Sequence, residues 1–205
     1  MLNYVDDNEA RVIGTCISEA ELSHEVKDEK FYNFYLKISR LSENFDTLVV
    51  TISEKLLCAF GDIFGKKLEI IGQFRSYNNY TESGNKLILT LFAREILLKD
   101  DDEPCDNEIY LNGFLCKPPI YRVTPFGREI ADILLAVNRA YNKSDYIPCI
   151  AWGRNARIVK NMQVGQNIKI FGRMQSREYQ KKLSEDETVT KTAYEVSVNK
   201  LEYEN

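Results

Sequence analysis

The chain repeats itself. Asn8-Glu9 and Gly14 return 99 residues later as Asn107-Glu108 and Gly113, and Phe34, Leu36, Ile38 and Arg40 return at the same spacing as Ile133, Leu135, Val137 and Arg139. Asp46-Thr-Leu-Val-Val50 answers to Asp145-Tyr-Ile-Pro-Cys149. One inserted residue later, Gly65, Gly72 and Ser76 match Gly165, Gly172 and Ser176. The last apolar alternation, Leu89, Leu91, Ala93 and Ile96, matches Tyr194, Val196, Val198 and Leu201. Few of these matches are identities, yet the register survives across a whole domain, so 205 residues must hold two copies of one small fold. The expected organisation is a first unit over 1–98, an acidic linker over 99–106 that includes Lys99-Asp-Asp-Asp-Glu-Pro104, and a second unit over 107–205.

Periodicity sets the order of elements within a unit. In the second, period-two alternation predicts strands over Glu108–Cys116, Glu129–Arg139 and Asp145–Trp152. Three-residue spacing of Ala156, Val159 and Met162 predicts a short helix over Arg154–Met162, and strands follow over Asn167–Arg177 and Lys191–Leu201. The first unit has a clearer apolar stripe, Leu56, Leu57, Phe60 and Phe64, on a helix expected over Glu54–Phe64. Polar stretches at Tyr77–Lys86 and Glu178–Lys191 read as loops. Three strands, a helix and two strands is the order of the OB fold, a five-stranded Greek-key barrel. Other small barrels share that order. The fold class is therefore all-β, two tandem OB folds, each with a helix between its third and fourth strands.

Charge separates the two units. Residues 1–103 hold 12 Lys and Arg against 19 Asp and Glu, whereas residues 107–183 hold 13 against 5. A basic half on an acidic chain points to a polyanion as partner of the second unit. Five cysteines, none in a C-x-x-C pair, and one histidine offer no metal-ligand spacing, so they read as free thiols, and neither metal nor cofactor is expected. The run Gly61-Asp-Ile-Phe-Gly65-Lys66-Lys67 is one residue too short between glycines for a phosphate-binding loop and has Lys67 where Ser or Thr should hold Mg²⁺. No nucleophile and base are assembled, and the reading is non-enzymatic. The start, MLNYVDDNEAR, carries no apolar run, and no stretch approaches the roughly 20 apolar residues of a membrane span, so the expected location is cytoplasmic with no membrane partner.

Alternation also predicts which side chains face outward. Along the fourth strand of the second unit, Ile168, Ile170, Gly172 and Met174 share the inward parity, leaving Lys169, Phe171, Arg173, Gln175, Arg177 and Tyr179 outward. In the third strand Tyr146, Pro148, Ile150 and Trp152 take the outward parity. Cations interleaved with rings match single-stranded nucleic acid, whose exposed bases stack on aromatic faces and whose phosphates demand Lys and Arg. The candidate stacking residues are Tyr146, Trp152, Phe171 and Tyr179. The candidate phosphate contacts are Arg122, Arg139, Lys143, Arg173 and Arg177. Core or subunit contact is the competing reading of the aromatics. The first unit has Thr47 and Ser53 where the second has Tyr146 and Trp152. It is expected to be structural or dimerising, with minor contacts at Arg75, Tyr77 and Tyr80.

Asn107-Glu-Ile-Tyr-Leu-Asn-Gly113, Tyr121-Arg-Val-Thr-Pro-Phe-Gly127, Leu135-Ala-Val-Asn-Arg139, Asp145 to Gly153 and Gly172-Arg-Met-Gln-Ser-Arg177 occur in order at matching spacing. Together they resemble the signature segments of bacterial single-stranded DNA-binding proteins, over roughly 107–202. The resemblance implies base stacking at Tyr146, Trp152 and Tyr179, and a role in replication, recombination or repair. It departs from the family twice. Members usually end in a flexible tail with an acidic tip, whereas this sequence ends at Leu-Glu-Tyr-Glu-Asn205, which puts recruitment by that route in doubt. Most carry one barrel and form tetramers, so two barrels per chain imply a homodimer with four. Single-stranded DNA is the expected ligand, with single-stranded RNA a second candidate. The rival reading is a protein–protein adaptor barrel, a primosomal or recombination accessory factor with weak or no DNA binding.

Overall fold

The computed structural model describes residues 7–40, 43–81, 84–182 and 188–203, and these form twelve strands and two helices. In the first unit, β1 (Asn8–Cys16), β3 (Glu29–Ser39), β4 (Phe45–Ser53), β5 (Lys67–Thr81) and β6 (Gly84–Leu98) close on themselves. β1 pairs antiparallel with both β3 and β5, and β4 pairs parallel with β6. Helix α1 (Glu54–Phe60) lies between β4 and β5. The second unit repeats the circuit with β7 (Asp106–Leu115), β9 (Glu129–Arg139), β10 (Lys143–Trp152), β11 (Asn167–Lys182) and β12 (Thr188–Tyr203), and α2 (Gly153–Val159) between β10 and β11. This is the OB topology, twice. Two further strands, β2 (Glu21–Val26) and β8 (Ile120–Val123), hang as hairpin partners on β3 and β9. No described helix is long and apolar enough to cross a membrane.

The repeat is a repeat of the core. Val12, Leu36, Leu48, Ile70 and Leu91 fill the first barrel, and their counterparts Leu111, Leu135, Ile147, Ile170 and Val196 fill the second, all essentially without solvent exposure. Gly72 and Gly172 recur for a geometric reason. Each sits at a register shift in the fourth barrel strand, where a Cβ would collide with a main-chain carbonyl oxygen, that of Phe92 or Ser197. No side chain fits where the bulged strand presses onto its neighbour.

Two expectations differ from what forms. Both helices are shorter, because Gly61 at φ 87° ends α1 and α2 runs only from Gly153 to Val159. The polar stretches at Tyr77–Lys86 and Glu178–Lys191 lie largely within strands: β5–β6 and β11–β12 continue as paired hairpins past the barrel wall. Both faces of a strand that has left its barrel are polar, which reads as a loop in sequence. The acidic segment between the units makes contacts of its own. Lys99 bridges Glu69 and Glu103, the Glu103 N–H donates to the Asp100 carbonyl, and β7 begins at Asp106.

That tether brings β1 beside β7. The two pair antiparallel from Asn8↔Leu111 to Ile13↔Asp106, joining both barrels into one twelve-stranded sheet. Ala10 stands opposite Ile109, its own counterpart in the repeat. The seam is thus self-complementary, as in an isologous dimer, but within one chain.

Candidate nucleic-acid interface

The outer ends of the barrels are held by two reciprocal clasps. Asp145 Oδ1 accepts the Ser76 N–H at 2.8 Å, while Ser76 Oγ accepts the Tyr146 N–H at 2.6 Å. The mirror arrangement has Asp46 Oδ1 accepting the Ser176 N–H and Ser176 Oγ accepting the Thr47 N–H, both at 2.9 Å. Both carboxylates are buried and each is met by its own barrel's arginine, Arg40 on Asp46 and Arg139 on Asp145 at 3.3 Å. Burial of a carboxylate is tolerated because every clasp supplies both a cation and N–H donors.

The clasps are not equal. Arg173 also reaches Asp46, at 3.1 Å, so two guanidiniums share one carboxylate. The hydrogen bond to Asp46 raises the Arg40 pKa, whereas burial and then the charge of Arg40 lower that of Arg173. Arg173 therefore enters against repulsion and adds less than Arg40.

Against this frame the candidate residues fall into distinct places. Trp152 ends β10, is 37% exposed, and its indole Nε1–H donates to Ser197 Oγ at 3.2 Å. Tyr146, on the same parity of β10, and Tyr179, opposite Lys191 on the β11 hairpin, are also exposed. Arg177 extends from the same hairpin, its side chain 60% exposed and 3.8 Å from Glu195. Lys143, at the start of β10, is exposed. Trp152 and Arg177 both approach β12, at Ser197 and Glu195, whereas Tyr146 and Lys143 lie toward the first barrel, where the Tyr146 N–H meets Ser76 and Lys143 lines a groove with Arg75.

The other candidates have partners. Phe171 is half-buried, tilted against Tyr110 at 5.1 Å with Lys200 over its ring, beside the seam rather than among the β10 aromatics. Arg122 on β8 grips Asp132 through both terminal and Nε donors at 2.7–3.1 Å. Arg139 and Arg173 belong to the clasps. In the first barrel, Arg75 lies over the Phe92 ring at 3.9 Å and donates to Gln73, and Tyr77 is exposed. The Tyr80 side chain lies outside the described residues.

Position 152 carries a local signal. In the first barrel its counterpart Ser53 is the N-cap of α1, accepting the Leu56 N–H. Trp152 holds the same extended backbone before α2 and makes no side-chain cap. An N-cap hydroxyl contributes about 1 kcal/mol. The second barrel gives this up and presents a large ring at the surface, a breach of a local rule that points to function.

Comparison with known proteins bears on the same half of the chain. Residues 106–203 match the model of the single-strand binding protein family. "Single-stranded DNA-binding protein A" of Bacillus subtilis is 36% identical over 106 residues, covering 48% of this chain and 61% of that protein. "Single-stranded DNA-binding protein 2" of Listeria monocytogenes is 35% identical over 106 residues, covering 48% and 66%. A Clostridium tetani single-stranded DNA-binding protein is 37% identical over 83 residues, covering 37% and 57%. The chain thus spans less than two thirds of the length of these relatives. The solved single-stranded DNA binding protein of Thermus aquaticus superposes over 97% of this chain and 93% of its own, with a TM-score of 0.77 and 17% identity, a likeness of fold.

Proposed function

Because this chain belongs, through residues 106–203, to the single-strand binding protein family, we propose that it is a non-catalytic protein that holds single-stranded DNA on its second barrel. The observation that carries this reading is Trp152, which occupies a helix-cap position without capping and presents an exposed indole on the same strand parity as exposed Tyr146. Bases would stack on Trp152, Tyr146 and Tyr179, each contact contributing roughly 1–3 kcal/mol. Lys143 and Arg177, both exposed, would meet phosphates, with Arg122 and Arg139 available if phosphate displaces their carboxylates. Arg173 acts in the clasp rather than as a phosphate contact, and Phe171 serves as packing beside the seam.

The first barrel, in this reading, supplies the paired edge and clasps that hold the binding barrel in place. The self-complementary seam leaves a second association to build four barrels from two chains, and light scattering that shows a strict monomer would refute that homodimer. The setting is cytoplasmic DNA replication, recombination or repair.

Trp152 is the sole tryptophan, so its emission reports the site directly. Titration with oligo-dT at low salt should quench it, and the Trp152→Ala, Tyr146→Ala pair should weaken binding at least tenfold without unfolding the barrel. Flat emission and flat anisotropy at micromolar protein would instead favour the adaptor reading. Oligo-U in the same titration separates DNA from RNA preference.

A further inference from the structure

The twelve-stranded sheet has two ends, β2 and β8. Among the described strands each of these pairs on one side only, β2 with β3 and β8 with β9. Each therefore presents main-chain N–H and C=O groups along an open edge. Both edges are preformed. Lys27 and Asp28, at φ 50° and 63°, make the two-residue turn whose twist suits a hairpin, and His24 stacks on Phe31 at 5.0 Å with the rings 12° from parallel. On the other hairpin, Arg122 holds Asp132 at 2.7 Å and the Thr124 N–H donates to the Arg128 carbonyl at 2.8 Å.

The two edge strands occupy the same place in the repeat and carry opposite charge. Residues 19–29 hold five carboxylates against Lys27, whereas residues 117–128 hold Lys117, Arg122 and Arg128 and no carboxylate. Like charges set directly opposite destabilise a strand pair, so β2 repels a second β2 and β8 a second β8, while β2 attracts β8. The apolar side chains match as well. Leu22 and Val26 on β2, and Ile120 and Val123 on β8, are each more than half exposed. Leu22 lies across from Tyr32 and Val26 across from Glu29, three residues apart, so alternation puts them on opposite faces of the sheet. Ile120 and Val123 are likewise three residues apart on β8. Each edge thus offers one apolar side chain to either face.

We propose that the β2 edge of one chain docks on the β8 edge of the next, so that the protein associates head to tail with copies of itself. The occupant follows from the charges, since each end of the sheet is complementary to the other end and to neither itself. A contact between unlike patches does not close as a two-fold pair; it leaves an open β2 and an open β8, and assembly continues past two copies. The contact is short. β8 has four residues between Pro119 and Pro125, and proline cannot donate to a ladder. It is therefore weak and screened by salt, suited to setting chains side by side once they are held close. It lies at the sheet ends and needs no DNA.

Sedimentation velocity on the full-length chain without DNA, at low salt and from micromolar to millimolar protein, should show a mass that rises past two chains and falls back in high salt. Glu19→Lys, Glu21→Lys and Glu25→Lys together should weaken this association at least tenfold, and so should Lys117→Glu with Arg128→Glu. All five positions are exposed, and each variant gives both ends of a chain one sign of charge. An equimolar mixture of the two variants brings opposite edges together again and should recover association, an outcome that misfolding cannot produce. A mass that stays at one chain or levels at two overturns the proposal, as does a mixture that associates no better than its components. A wild-type chain that associates past two copies yet leaves oligo-dT unbound supports the contact and overturns only the DNA-binding reading.

Discussion

Replacing Asp46 by alanine tests whether the inter-barrel clasps, and not only the β1–β7 ladder, make the two barrels one unit. Asp46 accepts two donors from Arg40, one from Arg173 and the N–H of Ser176 while buried from solvent. Breaking a buried ion pair by removing one partner costs about 3–5 kcal/mol. Both guanidiniums are 30% exposed and can recover water, so the lower end, about 3 kcal/mol, is the expectation for Asp46→Ala. Asp145 is in short-range contact with Arg139, at 3.3 Å, and Asp145→Ala should cost about 2 kcal/mol, near the contribution of a hydrogen bond to a charged group. Urea denaturation should be followed by Trp152 emission, which senses the second barrel, and by far-ultraviolet circular dichroism, which senses both. The wild-type transitions should coincide; in the Asp46→Ala, Asp145→Ala double variant they should separate. A loss below about 1 kcal/mol for Asp46→Ala, or one no larger than for Asp145→Ala, would refute the reasoning.

Three further outcomes follow from named contacts. Trp152→Ser should be about 1 kcal/mol more stable than Trp152→Ala by urea denaturation, because serine restores the cap seen at Ser53, while both variants lose stacking alike. Losing Lys143 and Arg177 together should lower the slope of log affinity against log salt by about 1.4, at roughly 0.7 per phosphate contact on a single strand, measured by anisotropy from low to moderate salt. Cys149 is buried, which raises its thiol pKa, so the folded state disfavours the thiolate. Stability from this group is full below the unfolded thiol pKa of about 8.5 and falls as pH rises above it; a Cys149→Ala chain should show a shallower alkaline decline in melting temperature. At pH 8, thiol reagents should label exposed Cys58 well before Cys149.

The internal repeat determined the architecture because it is a repeat of buried parity. Val12 and Leu111, or Ile70 and Ile170, recur since each barrel needs the same interior, and a two-residue period makes that interior legible in sequence. Gly72 and Gly172 were legible too, since only a missing side chain fits the bulge. The exposure of Tyr146, Trp152 and Tyr179 followed from the same alternation. Alternation gives a side, however, and not a neighbour. Arg173 and Phe171 have the outward parity and are nonetheless occupied, one by Asp46 from the other barrel and the other by Tyr110 and Lys200. The paired polar hairpins read as loops because polar residues on both faces carry no period.

Only the tertiary structure decided how the barrels meet, since pairing of β1 with β7 depends on where the tether delivers a strand edge. Asp46, Asp145, Ser76 and Ser176 stood out in sequence as repeated residues without a role; their reciprocity exists only when one barrel reaches the other. The sequence by itself set the two interiors and the basic, ring-bearing face. Long-range packing set which of those outward residues remain open to a ligand.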